Sequence, residues 1–590
     1  MKRLGLLIAL TLLPSRVWAD VFVDQVGYRP QDPKAFVTNS GTVPFEVVSL
    51  DTGQVALAGE TSQRRKSDPA TGMDLYWGDL STVRDEGTYR VRLQDGSESF
   101  SFDIRSDVYA SVANSALKSY FLQRCGVPLE EPWAGVFARP ACHTDDAKFH
   151  PSLGHPSPGQ AGGLPTPGGW HDAGDYGKYV HSASVSLAHM LMMYEQFPSR
   201  FSQDAVGIPE SGNGVPDLLD EMAVALDWML TMQVEDVESS LAGGVHYMVN
   251  TRDYEWVTAD ADTAERFIHS VSSVATADFA AAMALAARVF AEVPALRERS
   301  NQYRSAAIEA WSFLERHPGL YPAGGFIRPA DTKTGGYADS PDLDDRDDRL
   351  WAAVELALTT GDARYVGSVA NLGKLGVGDS ESSRKFFGST SFDDQLRSEN
   401  TIAFPFVQSA LQPVPGLDEQ IRLGIRRQFL AHCEQLVQRL GSDGFGVALE
   451  SYYWGGTGGA LALGQMLLFG HLLEPGRTDF RDGALHQLHY VLGRNALNTS
   501  FVSGVGSRYP RAIHHAVFDN DELEPIFPGL IAGGPNPDLE ADETLPLYFD
   551  ESTPPALCYI DHMDSWASNE NCILYNAPLV AVAFYFAYGP

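Results

Sequence analysis

The stretch SSVATADFAAAMALAARVFAEV, residues 272–293, sets the fold class. Its apolar residues follow helical spacing but run round much of the circumference instead of along one stripe. A helix of that kind is packed on two sides, as in nested helical layers. The same spacing recurs in VYASVANSALKSYFLQ (108–123), HSASVSLAHMLMMYEQF (181–197), DLLDEMAVALDWMLTMQ (217–233) and RLWAAVELALTTG (349–361). It returns in IRRQFLAHCEQLVQRL (425–440), GALALGQMLLFGHLL (459–473), ALHQLHYVLG (484–493) and LYNAPLVAVAFYFAY (574–588). From Val108 onward the chain reads as all-α, with no strict repeat. The segments 130–170, 318–347, 376–405 and 496–557 between helices are long and rich in Gly, Pro, Asp and aromatics. Connections of that length are usually functional, so a binding face built from loops on a helical scaffold is expected.

Upstream the period changes. AFVTNS (35–40), FEVVSL (45–50), QVALAGE (54–60), GTYRVRL (87–93) and ESFSFDI (98–104) are short β-rich runs separated by DTG, DEG and QDGS turns. This spacing predicts a small β-sandwich over residues 20–105, followed by a helical domain over 106–590. Residues 1–19 read as an export signal. Lys2 and Arg3 precede the apolar LGLLIALTLL, and Ala19 offers a small residue for cleavage before Asp20. The expectation is a periplasmic or secreted protein; the absence of Cys after Ala19 argues against a lipid anchor, and a monomer with no membrane anchor is expected.

The formal net charge of −33 argues against binding nucleic acid or anionic membranes, but leaves a neutral sugar chain open as a ligand. Five cysteines, Cys125, Cys142, Cys433, Cys558 and Cys572, are too few and odd in number for a disulfide framework. A metal site or buried thiols account for them better.

Two acidic, aromatic-flanked loops stand at helix starts. GGWHDAGDYGKYV (168–180) carries Asp172 and Asp175; CYIDHMDSWASNENCILYNAP (558–578) carries Asp561, Asp564, Trp566 and Glu570. Each is explicable alone as helix capping. Together they make a paired-carboxylate site, one neutral acid and one ionised base, suited to cleaving a glycosidic bond.

These two motifs resemble glycoside hydrolase family 9, the inverting cellulase family, over nearly the whole mature chain. The β-rich segment with its DQVGYRP start resembles the immunoglobulin-like domain that precedes the catalytic domain in one branch, and the remainder resembles an (α/α)6 barrel. The resemblance implies that Asp175 is the general base, that Asp172 positions the attacking water and keeps Asp175 ionised, and that Glu570 is the general acid. Asp561 and Trp566 would bind sugar or organise the loop. GSRYPRAIHHAVF (506–518) is similar to the family's Pro-His-His-Arg stretch, which implies a sugar-binding role for His515; here Ile513 and Ala516 replace the Pro and Arg, and Arg508 or Arg511 would have to supply the cation. Tyr453 and Trp454 resemble the family's aromatic sugar platform. At Cys572 the family usually has a small Ser, Thr or Ala.

Cys125, Cys142, His143 and His171 offer two thiolates and two imidazoles, a soft tetrahedral set suited to zinc. The resemblance supports a structural zinc at these four residues. Before the helix at 349, Asp344, Asp347 and Asp348 form a dense acidic loop, read as a calcium site or a solvated cap. Asp217, Asp220 and Glu221 read as structural helix-start acids.

The reading is an exported inverting endo-β-1,4-glucanase acting on cellulose-like or mixed-linkage glucan. The alternatives are an exo-acting glucosidase, cellobiohydrolase or glucosaminidase of the same fold, and a non-catalytic carbohydrate-binding protein.

Overall fold

A computed structural model describes residues 21–144, 148–151, 164–252, 256–326, 345–362, 364–365, 367, 401, 403–518 and 526–589. Residues 1–19, read above as an export signal, and Asp344 lie outside the described residues.

The β-rich segment forms two facing sheets. The first orders its strands Val21–Phe22, Ala35–Thr38, Leu75–Asp79, Ser62–Arg65. The second orders Gly27–Tyr28, Phe102–Ile104, Gly87–Leu93, Pro44–Ser49, Val55–Glu60. Pairing is antiparallel except between Gly27–Tyr28 and Phe102–Ile104. Alternation does the sorting: strand Gly87–Leu93 buries Tyr89, Val91 and Leu93 and turns Arg90 and Arg92 outward. The inward rings of Phe36 and Phe45 meet edge-to-face at 4.9 Å.

The helical domain has an inner and an outer layer. Among the described residues six inner helices, Val180–Gln196, Ser273–Ala291, Arg346–Thr360, Ala403–Leu411, Gly456–Leu473 and Ile573–Ala587, are mostly buried along their length. Each contacts the next, and Ile573–Ala587 contacts Val180–Gln196. Outer helices such as Arg297–Arg316 and Glu419–Ser442 bury one face only, Arg297–Arg316 packing its Tyr303, Ala307, Ala310 and Phe313 inward. Ser273–Ala291 and Gly456–Leu473 are long and apolar enough to cross a membrane, but most of each lies inside the protein, as core helices do.

The two domains share a core. Phe22, Val37 and Leu75 of the sandwich pack into the main helical cluster, and Phe22 meets Phe445 at 5.1 Å. Trp77 Nε1 donates to Gly444 O at 2.7 Å. Gln25 reaches furthest: its Nε2 donates to Asn498 O, and its Oε1 accepts from the Ser507 and Arg508 N–H groups. The sandwich thereby fixes the loop that leads to His514.

At the loop face a small sheet pairs Lys148–Phe149, Arg266–Ile268, Met248–Thr251 and Lys178–Tyr179. Lys178–Tyr179 runs straight from the 168–177 loop into helix Val180–Gln196, which anchors that loop to an inner helix.

Candidate active site

The first motif is held extended before it reaches the carboxylates. Arg124 and Trp170 form an isolated bridge in which Cys125 N–H donates to Gly169 O and His171 N–H to Gln123 O, each at 2.9 Å. Gly169 has φ +74, and a Cβ there would meet the Trp228 ring at 2.8 Å, so only glycine passes. Glu221 buttresses the bridge, accepting from Trp170 Nε1 and Arg124. Asp217 accepts from Val206 N–H and Ser211 Oγ. The acids at this helix start are tied up structurally.

Main-chain hydrogen bonds then stitch three distant segments together. Ile573 N–H donates to Asp172 O at 2.8 Å, Ala516 N–H to Gly174 O at 2.8 Å, and His514 N–H to Asn569 O at 3.1 Å. Gly174 N–H donates to Glu570 Oε1 at 3.2 Å. A Cβ on Gly174 would lie 2.5 Å from His514 O and 3.1 Å from Glu570 Oε1, so this glycine permits the close approach of the two loops.

The three carboxylates occupy different settings. Asp172 is buried; the Ser182 hydroxyl donates to Oδ1 and the Cys572 thiol to Oδ2 at 3.6 Å. Burial pushes its pKa up to about 7, and the neighbouring Asp175 charge adds to the push. Asp175 is half-buried, accepts from Gly177 N–H at 2.7 Å, and lines a cleft pocket with Gly174, Tyr176, Thr251, Trp256, Asp262 and Ala516. Glu570 is half-buried, and its carboxyl is held well above the ordinary range, by loss of solvent first and by the Asp175 charge second. The arrangement can present a protonated acid and an ionised base to one ligand.

The remaining sequence-derived residues fall into place as follows. Asp561 accepts from the Arg511 and Ala512 N–H groups and from Asn569 Nδ2, which locks the 511–512 and 569 segments together. Trp566 donates Nε1 to Ala541 O and stands 6.0 Å from the His514 ring. His515 is 1% exposed and turned toward Tyr176 and Phe527; burial pushes it down to about 3. Its neighbour His514 instead reaches the cleft, with Nδ1 on Met563 O and its ring 4.8 Å from Trp256. Tyr453 is 5% exposed, whereas Trp454 is 38% exposed. The Arg511 guanidinium lies over the Tyr509 ring.

Cys125, Cys142, His143 and His171 converge, their ligand atoms all within 4.8 Å of one another. Cys125 Sγ is 3.7 Å from His143 Nδ1, Cys142 Sγ 3.7 Å from His171 Nε2, and the two ring nitrogens are 3.3 Å apart. Four-coordinate zinc with ordinary Zn–S and Zn–N lengths places its donors about 3.3–3.7 Å apart, so the set fits such an ion. Burial pushes His171 down to about 3, keeping its ring in the neutral, ligating form. It is the sole such cluster among the described residues. Asp347 and Asp348 accept from Thr401 N–H and Thr401 Oγ1, and Asp348 is buried with its pKa pushed up by burial and by Asp347 and Asp278; Asp344 lies outside the described residues.

Ser182, Trp256 and Asp262 carry no motif in the sequence, and His514 enters it only as the first His of the IHHA stretch.

The family model "Glycosyl hydrolase family 9" matches residues 109–583, and "Cellulase N-terminal ig-like domain" matches residues 17–98. A xyloglucan-specific endo-beta-1,4-glucanase of Bacteroides ovatus is 31% identical over 98% of this chain and 96% of its own. A metagenome-derived glycoside hydrolase family 9 endoglucanase superposes with TM-score 0.85 at 34% identity, covering 97% of this chain and 99% of the other. A Zn-binding triple mutant of the family 9 endoglucanase J30 superposes with TM-score 0.81 at 30% identity, covering 95% and 99%. With both family models spanning it end to end in domain order, the chain belongs to glycosyl hydrolase family 9, carrying the cellulase immunoglobulin-like domain ahead of the hydrolase domain.

Proposed function

We propose that this family 9 hydrolase cleaves internal β-1,4-glucosidic bonds of cellulose-like or mixed-linkage glucan with inversion at the anomeric carbon. The observation that carries the reading is the shared setting of Glu570 and Asp175 about Gly174: one carboxyl kept protonated by burial, one lining the open cleft.

Glu570 donates its proton to the departing glycosidic oxygen as the C–O bond breaks. Asp175 accepts a proton from the water that attacks the opposite face of the sugar, and its negative charge adds to the burial that keeps Glu570 protonated beforehand. Asp172, bonded by Ser182 and Cys572, fixes the 172–175 loop and flanks that water. His514, Trp566 and Trp454 offer rings for the apolar faces of the glucose units, and Asp561 holds the loop that presents them. His515 supports the cleft from behind.

The two-layered helices are read as an (α/α)6 barrel, because the six inner helices contact one another in cyclic order. The Cys125, Cys142, His143 and His171 set is read as a structural zinc site: all four positions are protein ligands, leaving none open for water chemistry. Zinc bound there would cross-link the 123–125, 142–143 and 169–171 segments and so brace the loop bearing Asp172. The basic and apolar start of the chain supports export to the periplasm or medium, and the protein is read as a monomer.

Digestion of cellohexaose followed by anomer-resolved NMR tests the function. The α-anomer appearing first, with a spread of internal products, is expected. Initial β-anomer contradicts inversion, and a single short product released from chain ends contradicts endo action. No turnover on cellohexaose, mixed-linkage glucan or xyloglucan favours a non-catalytic binding protein.

A further inference from the structure

Cys125 and Cys142 stand together through contacts that need no metal. Leu129 and Arg139 exchange both main-chain hydrogen bonds at 2.9 Å, which folds the chain between the two cysteines back on itself. The Arg139 guanidinium then crosses the base of this loop, its Nη2 donating to Arg124 O at 2.6 Å and its Nη1 to Pro140 O at 3.0 Å. Both thiols are buried, and their sulfurs lie within 4.8 Å of each other. Two thiols held this close are a pair for disulfide chemistry as much as for a metal.

The two fates exclude each other. Tetrahedral zinc keeps two sulfur ligands about 3.8 Å apart, whereas a disulfide brings them to about 2.0 Å and leaves neither as a ligand. The two imidazoles of His143 and His171 would remain, too few for a structural zinc. The movement falls to the 142–143 segment. Cys125 N–H is fastened to Gly169 O at 2.9 Å, while Cys142 and His143 lie outside any helix or strand. His143 also has φ +50, a left-handed backbone uncommon away from glycine. Its ring is held at both nitrogens, Nδ1 against the metal set and Nε2 3.2 Å from Asp262 Oδ2. Without a metal one of these two holds is gone, and Cys142 is free to swing onto Cys125.

We propose that Cys125 and Cys142 are a redox site: with zinc bound they are ligands, and without it they close into a disulfide that shuts zinc out. The step is thiol–disulfide exchange with a low-molecular-weight disulfide. One cysteine sulfur displaces a thiol from the reagent to give a mixed disulfide, and the second displaces the other thiol as the Cys125–Cys142 bond forms. The protein gives up two protons and two electrons, and the reagent leaves as two thiols. Export, as proposed above, brings the chain to a compartment where disulfides persist. The inference rests on the zinc reading given above. Cys433, Cys558 and Cys572 serve as internal references, their sulfurs facing Met466 O, Thr553 O and Asp172 Oδ2.

The test compares zinc-loaded protein with protein stripped by a chelator under reducing conditions. Each is exposed to oxidised glutathione, then unfolded, alkylated, digested and read by mass spectrometry, with zinc content determined alongside. The loaded protein is expected to show all five cysteines alkylated, and the stripped protein a Cys125–Cys142 linked peptide with the other three alkylated. The oxidised protein is expected to take up no zinc until a dithiol reopens the bond. Five alkylated cysteines in the stripped protein, a glutathione adduct that goes no further, or a linked peptide through any other cysteine overturns the proposal. So does zinc held by the disulfide form. Circular dichroism checks that the stripped protein stays folded. Where it does not, His143→Gln takes its place, since it removes one ligand and neither thiol; it is expected to give the linked peptide without chelation, and absence of that peptide overturns the proposal. Reduced protein that takes up no zinc contradicts the zinc reading instead, so the two failures are told apart.

Discussion

Asp172 is enclosed: a hydroxyl and a thiol occupy its two oxygens, and its backbone is clamped to Gly177 and Ile573. Glu570, by contrast, takes one N–H, from Gly174, among the described residues and stays half-exposed. Burial and the charge on Asp175 push both carboxyls upward. What separates them is where their free valences point. In the reading proposed above, Asp172 spends its oxygens on the protein and serves as a fixed strut, whereas Glu570 retains an oxygen for a ligand. Role follows from the surroundings of a carboxyl, not from its chemical type.

The largest effect expected from breaking this contrast is on Glu570 and Asp175. Glu570→Gln and Asp175→Asn should each lower kcat on β-glucan about 10³-fold, measured by reducing-sugar release with folding checked by circular dichroism. Asp172→Asn should cost less, about 10²-fold, because the variant keeps an acceptor for Ser182 while losing the charge beside the water. A loss as large as that of Glu570→Gln would make Asp172 a proton-transferring group and collapse the distinction.

The pH profile sharpens the same comparison. Glu570 must carry its proton to act, so activity is present below its pKa and is lost as pH rises through it. With that pKa held well above the usual glutamate value of about 4.3, the alkaline limb of kcat should lie well above the ordinary carboxyl range. A limb near pH 4–5 would show that Glu570 is not the acid. Zinc removal comes next: a strong chelator should strip about one zinc per chain and lower the melting temperature, because the proposed metal would tie the 142–143 segment to the bridged 123–125 and 169–171 segments. Smallest of all, Gln25→Ala should cost about 1–2 kcal/mol of stability in chemical denaturation, since it frees the Ser507 and Arg508 N–H groups on the loop toward His514.

The scaffold and the two acidic loops that the structure brings together were legible because each has a short-range signature. Helix Ser273–Ala291 is apolar all round and is buried all round. The strands around Tyr89 and Phe45 alternate with period two. Asp172 and Asp175 share one loop and Glu570 follows an aromatic loop at a helix start. The metal set was legible from donor chemistry despite its irregular spacing. What escaped the sequence depends on depth and on partners far along the chain. Nothing local tells that Cys572 faces Asp172, 400 residues away. Adjacent histidines in an extended segment point to opposite sides, and sequence carries no measure of which side is open; the structure sends His515 inward and His514 to the cleft. The acidic run at 344–348 shows its charge density in sequence, while the bonds that Asp347 and Asp348 accept from Thr401 do not show there.

The central claim is that Glu570 supplies the proton and Asp175 the base, and leaving-group dependence tests it most directly. Glu570→Gln and Asp175→Asn are each assayed on a β-glucan and on an aryl cellobioside whose phenolate departs without protonation. The account predicts that Glu570→Gln regains most of its lost rate on the aryl substrate while Asp175→Asn stays equally impaired on both. Equal impairment of Glu570→Gln on the two substrates, or rescue of Asp175→Asn alone, would contradict it.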